Sequence, residues 1–191
     1  MVVAIVGMSH RKRVGNEGLI IVVMGVAGAG KSTLGKVLAD ALDWPFIEGD
    51  DFHPAANVAK MARGEALDDD DRAPWIAALH ARIAEVAARS GNAVVACSAL
   101  RASYRDRLAD GVGDVRLVFL SGAPETIAGR IRGRRAHFMP PSLLESQLAA
   151  MEPPEGAIRV PIEIPTEEQA ERVLRTIRRT IRRTIRGDAC P

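Results

Sequence analysis

The segment Gly25-Val26-Ala27-Gly28-Ala29-Gly30-Lys31-Ser32 directly follows an apolar run, Leu19 to Met24, and opens a stretch of helical spacing over 31–42. A GxxxxGK[ST] sequence requires that setting, because glycines let the backbone wrap with its N–H groups turned inward and the helix N-terminus adds partial positive charge. The chain is thereby committed to a strand, an anion-wrapping loop and a helix, in that order. The expected nucleotide contacts are Gly25, Val26, Ala27, Gly28, Ala29, Gly30, Lys31, Ser32 and Thr33. Lys31 can reach the β and γ phosphates of ATP, and the Ser32 hydroxyl can ligate Mg²⁺. Motors, switches and small-molecule kinases all use such a loop, so the reaction has to be read elsewhere.

Apolar runs recur along the chain at 19–24, 45–48, 92–97, 115–120 and 157–164, and they are continuous instead of alternating. That is the pattern of strands covered on both faces. Helical spacing lies between them at about 31–42, 54–62, 73–90, 101–110, 124–133, 141–151 and 166–186. Such alternation predicts an α/β fold, a parallel five-stranded sheet flanked by helices in three layers. Pro124 suits a first helical turn, and Thr166 with Gln169 has the form of a capping box. Two excursions, about 49–75 and 132–142, exceed what the connections need, and substrates bind at such places beyond the carboxyl ends of strands.

The 191 residues suit one domain, expected at 19–172, with residues 1–18 read as a disordered extension and 173–191 as a basic helix and tail. Only 4% of residues are aromatic, which argues against base-stacking platforms for single-stranded nucleic acid. Two cysteines, Cys97 and Cys190, make no disulfide framework and fit a reducing cytoplasm. No apolar run reaches the roughly 20 residues of a membrane span. The net charge of +2 conceals two opposed fields. Residues 48–71 hold eight acids against Lys60 and Arg63, whereas 172–191 hold seven arginines against Asp188.

Hydrolytic engines place an acid at the end of a further apolar strand. Here the third and fourth runs end in Cys97-Ser98 and Leu120-Ser121, and the acids follow the second run in Glu48-Gly49-Asp50-Asp51-Phe52-His53. Residues two apart on an extended chain share a side. Glu48 can therefore face the metal and Asp50 an incoming hydroxyl, the arrangement that phosphoryl transfer to an alcohol demands. Asp51 is expected to cap the next helix. Asp68 to Asp71 read as an acidic turn and helix start that could also accept hydrogen bonds from a polyhydroxylated substrate. Arg130, Arg132, Arg134 and Arg135 fall within six residues around Gly133, suiting a mobile lid (about 130–142) that closes over phosphates. Arg130 and Arg134 lie one helical turn apart.

The phosphate loop, EGDDFHPAANVAKM (48–61), GEALDDDDRAPW (64–75), CSALRASYRDRL (97–108), HFMPPSLLESQ (137–147) and MEPPE (151–155) together resemble the thermoresistant gluconokinase family over about residues 19–165. The resemblance implies a nucleoside-kinase-like P-loop fold, ATP-dependent phosphorylation of D-gluconate to 6-phosphogluconate with Mg²⁺, and a homodimer. It implies Asp50 as the acid meeting the acceptor hydroxyl, and His53, Lys60, Arg72, Arg105, His137 and Gln147 as polar positions around the sugar acid. A gluconate carboxylate needs cationic partners, which Arg105, Arg72 and Lys60 can supply. Ala136 stands where the family's lid commonly has glycine, and Pro161-Ile162-Glu163-Ile164-Pro165 replaces its Asp-Ile-Asp-Gln-Pro.

From Val173 an isoleucine every four residues (Ile177, Ile181, Ile185) drifts by roughly 40° per step on a helix, so only the first turns can dock. The remainder is expected to be solvated, with contact to anionic membrane or nucleic acid as the sharper reading. The alternatives to a gluconokinase are a related kinase for shikimate or another sugar acid, and a nucleotide-gated binding protein using the basic tail.

Overall fold

The computed structural model describes residues 18–89, 91–132 and 141–186. Its strands are β1 Leu19–Met24, β2 Phe46–Glu48, β3 Ala93–Ala96, β4 Asp114–Ser121 and β5 Ile158–Pro161, and its helices are α1 Lys31–Leu42, α2 Ala55–Ala62, α3 Asp69–Ala88, α4 Ala102–Ala109, α5 Pro124–Arg132, α6 Pro141–Ala149 and α7 Thr166–Arg186. The five strands form one parallel sheet in the order β2-β3-β1-β4-β5, as the continuous apolar runs predict.

β1 sits at the centre, with Val23 opposite Ala96 of β3 on one side and Val118 of β4 on the other. All six of its residues are buried because the pleat divides them between two cores. Leu19, Ile21 and Val23 pack with Leu34 and Leu38 of α1 and with Val173 and Ile177 of α7. Ile20, Val22 and Met24 pack with Trp75, Ile76, Leu79 and Ile83 of α3. Each fully buried aliphatic side chain contributes about 1.5–3 kcal/mol, so β1 is the best-secured strand of the sheet and a rigid base for the loop at its end.

Several boundaries differ from expectation for local reasons. α3 begins at Asp69, within the acidic helix start read at Asp68 to Asp71 and a turn before the helical spacing at about 73, because Asp68 accepts from Asp71 N and the Asp71 side chain accepts from Asp68 N in a reciprocal cap. The three acids of that first turn face the positive end of the helix dipole. Asp51 lies within a 3-10 turn over Gly49–Phe52 and caps nothing; α2 starts after Pro54 without a side-chain cap. Gln169, which the sequence pairs with Thr166, is buried and donates its Nε2–H to the carbonyls of Pro161, Ile162 and Ile164, closing the turn between β5 and α7. The boundary expected at residue 173 falls inside α7, whose Ala170, Val173 and Ile177 are all in the core. Arg175, Arg178 and Arg179 line an open groove of about 450 Å³ beside that helix.

Candidate active site

The loop between β1 and α1 folds through three left-handed glycines, Gly25 (φ 148°), Gly28 (φ 79°) and Gly30 (φ 103°). At Gly28 a second constraint adds to the torsion: a Cβ there would lie 2.6 Å from Cγ1 of Ile131, so α5 rests directly on the loop. Arg130, the preceding residue of α5, donates from Nη2 to Ile162 O, and its Nη1 is the atom nearest to where a Gly30 side chain would start, 3.9 Å away. One arginine foreseen as neutralising phosphate charge therefore stands beside the loop. Arg134 and His137, and the lid around them, lie outside the described residues.

Lys31 opens α1 at 8% exposure, with its Nζ donating to Val26 O at 3.3 Å. Ser32 and Thr33 follow on the first turn. Across β3, the Glu48-Gly49-Asp50 segment passes so closely that a Cβ on Gly49 would fall 2.5 Å from Ala96 O and 3.2 Å from the Cys97 Cβ. Cys97 is fully buried there, and its N–H bonds to Val23 O at 3.1 Å, binding the ends of β3 and β1. Burial pushes the Cys97 thiol up to about 12; the Asp50 and Glu48 carboxylates add to the rise and Lys31 opposes it. The end of β3 at Cys97 thus lies between β1, which leads into the Lys31 loop, and the segment that carries Glu48 and Asp50. Glu48 Oε1 is buried without a hydrogen-bond partner among the described residues.

His53 lies next to this point, stacked on Trp75. Its pKa is lowered chiefly by burial and further by the Arg72 charge, with Asp50 pulling the other way, so Asp50, His53 and Arg72 share one electrostatic neighbourhood. Trp75 also donates its Nε1–H to Gly49 O at 2.7 Å, tying the acidic turn to α3. Arg72, whose side chain is 17% exposed, approaches the Tyr104 hydroxyl at 3.5 Å and Asp69 at 3.9 Å. Asp69 is held in turn by the Tyr104 hydroxyl and by both its oxygens on Arg101, which keeps its carboxyl below the usual range, the Tyr104 hydrogen bond being the main cause. Arg105 donates to Ala99 O and Leu100 O at 3.1 and 3.0 Å, fixing the turn after β3 where Ala99 is left-handed at φ 41°.

The remaining expected residues are placed differently. Lys60 is engaged by Asp71 and Asp68 at the cap of α3, and the Asp71 hydrogen bond is the main reason its pKa is raised. Gln147 of α6 accepts a hydrogen bond from Ala27 N of the phosphate loop at 2.7 Å. Ser146, Arg72, Arg101 and Asp68 to Asp70 line a cleft of about 720 Å³ between α3 and α6. Trp75, Tyr104, Arg101 and Cys97 were not singled out by sequence reasoning. Trp75, one of two tryptophans and three residues past Arg72, carried a usable signal; Cys97 carried none, since a cysteine ending an apolar run is ordinarily core.

Comparison with known proteins places this geometry in context. A family model described as an AAA domain matches residues 20–154. The chain is 44% identical over 154 residues to a gluconokinase of Gluconobacter oxydans, covering 79% of this chain and 86% of that one. It is 41% identical over 134 residues to the thermosensitive gluconokinase of Escherichia coli, covering 70% and 72%. The crystal structure of a gluconokinase from Sinorhizobium meliloti superposes with a TM-score of 0.81 at 41% identity, covering 91% of this chain and 99% of that one.

Proposed function

The chain belongs to the gluconokinase family, and from that premise we propose that it transfers the γ-phosphoryl group of ATP to the 6-hydroxyl of D-gluconate, at the end of the sheet that carries Lys31, Glu48 and Asp50. The packing of the Glu48-Gly49-Asp50 segment against Cys97, whose N–H binds the end of β1 at Val23 O, is the observation that carries this reading. It sets a phosphate-binding lysine beyond the carboxyl end of β1 and two carboxylates at that of β2, on either side of β3, the place where ligands bind in open α/β sheets.

Phosphoryl transfer asks little covalent chemistry of a protein; positioning and charge stabilisation supply most of the rate. The loop amides and Lys31 hold the β and γ phosphates. Asp50 orients the acceptor hydroxyl and takes its proton as the oxygen attacks. Arg130 neutralises charge developing on the transferred group, with Arg134 the second lysine-independent cation assigned to that task. Arg72 and Arg105 offer guanidinium groups to the gluconate carboxylate, with His53 beside them; Lys60 and His137 complete the sugar-acid set that the family pattern implies. The gluconate hydroxyls have acceptors in Asp50 and in the α3 acids that line the neighbouring cleft.

The residues present fit Mg²⁺. Glu48 Oε1 is a buried carboxylate oxygen with no hydrogen-bond partner among the described residues, and Ser32 offers a hydroxyl on the first turn of α1. When bound there by Glu48 and Ser32, the ion would supply positive charge to offset the negative charge of the phosphates. The same reading makes the protein a cytoplasmic homodimer, as the family pattern implies; no helix among the described residues is long and apolar enough to cross a membrane.

ADP release measured across gluconate, other sugar acids, shikimate and nucleosides tests the assignment. Turnover stimulated by gluconate above the rest is expected. Preference for shikimate would move the protein to the related kinase, and no acceptor-stimulated turnover would remove the kinase reading altogether.

A further inference from the structure

The Ala27 N–H that Gln147 engages belongs to the same peptide unit as the Val26 carbonyl. A trans peptide is planar, so holding one end fixes the other, and no cis peptide occurs among the described residues. That carbonyl accepts from Lys31 Nζ at 3.3 Å and from Ala29 N at 3.2 Å. A continuous line of contacts therefore runs from the Gln147 Oε1 through one peptide plane to the Lys31 ammonium, its first hydrogen bond joining Gln147 to Ala27, 120 positions away in the chain.

The two ends of this line differ in rigidity. Gly25 and Gly28 bound the segment that contains the peptide, and with no Cβ they restrain its orientation little. Gln147, by contrast, stands on a helix whose Leu143 and Leu144 are buried and whose Leu148 packs against the core shared by Val26 and Ala29. The stiff partner is the helix, and the loop is what it orients.

We propose that Gln147 is a positioning residue for the phosphoryl donor, which orients the Val26–Ala27 peptide and through its carbonyl sets the Lys31 ammonium. The proposal deepens the kinase reading and rests on it for the identity of the anion, ATP. It separates Gln147 from the sugar-acid pocket to which the family pattern assigns it. Losing the acceptor leaves Ala27 N–H unpaired and the peptide free to turn, so ATP should weaken by about ten-fold, the size of one hydrogen bond.

Gln147→Met keeps the length and removes the strong acceptor; Gln147→Leu is a second acceptor-free variant, and Gln147→Glu keeps an oxygen at the same reach. ATP affinity is read by calorimetry without any sugar acid, KM values for ATP and gluconate by steady-state kinetics, and amide exchange over residues 25–31 by mass spectrometry. The expected result is weaker ATP binding in both acceptor-free variants, an unchanged gluconate KM, faster exchange in the loop, and exchange restored in Gln147→Glu. A raised gluconate KM with ATP binding intact would overturn the proposal, as would wild-type values throughout. Because the calorimetry needs no acceptor, a protein that binds ATP through Gln147 yet phosphorylates no gluconate would sink the substrate assignment alone.

Discussion

Trp75 lies flat against His53, with ring centroids 4.2 Å apart and planes 15° from parallel. The indole covers the imidazole on one side while its own N–H holds Gly49 O, so a single side chain fixes both ends of the acidic turn that carries Asp50. Stacking of this kind adds about 0.5–1.5 kcal/mol beyond area burial, while burial, with the Arg72 guanidinium nearby, favours the neutral imidazole.

Stability should therefore depend on pH through His53. Its folded pKa is lowered, so the unfolded chain takes up the proton first; the contribution is present above the ordinary imidazole value of about 6.5 and is lost as pH falls from there through the lowered folded value. Thermal unfolding between pH 5.5 and 8 should show this loss in the wild type and a flatter profile in His53→Gln. Equal profiles would separate His53 from the effect.

Lys31→Ala should lower turnover by about 10²-fold or more, because it removes charge aimed at the transferring group. Asp50→Asn should lower it by about 10²–10⁴-fold through loss of the proton acceptor. Both should keep the wild-type circular dichroism spectrum. Full activity in Asp50→Asn would take that residue out of the mechanism.

At Gly28 a methyl group meets both a left-handed backbone and the Ile131 side chain. Gly28→Ala should cost about 1–3 kcal/mol in urea unfolding and weaken ATP binding. Adding Ile131→Ala relieves the contact and leaves the torsional strain, so the double variant should recover ATP affinity only in part, read by titration.

Asp43 ends α1 in the left-handed conformation at φ 55° and is exposed. Asp43→Gly should raise the unfolding free energy by about 0.5–1 kcal/mol with catalysis unchanged, since glycine occupies that region without a Cβ clash. A lower melting temperature would show that the carboxylate contributes more than the strain costs.

Much of this molecule is local in origin and therefore readable along the chain. The β1 strand, the phosphate loop and α1 have bounds set by neighbouring residues: continuous apolar side chains, three glycines, then helical spacing. The start of α3 was legible in the acids at Asp68 to Asp71, whereas the helical spacing shows only from about 73; the reciprocal hydrogen bonds of Asp68 and Asp71 fix the earlier bound. The family pattern implies Lys60 at the sugar acid; that Asp71 also engages it depends on how α2 lies against α3, which no local spacing states.

The sequence by itself determined the chemistry available to the protein: a phosphate-wrapping loop with Lys31, carboxylates at Glu48 and Asp50, and arginines in supply. Those are decided by residue type and short spacing, which nearest-neighbour physics enforces. Tertiary structure alone decided which groups meet. Pairing the backbone groups along the edge of β1 sets β3 beside it and β2 beyond, and that brings Glu48 and Asp50 to the same end of the sheet as Lys31. Packing Leu143 and Leu144 into the same core brings Gln147 to Ala27. Contacts across 120 residues are set by how apolar surface closes over the sheet, a property of the whole chain that no local segment carries.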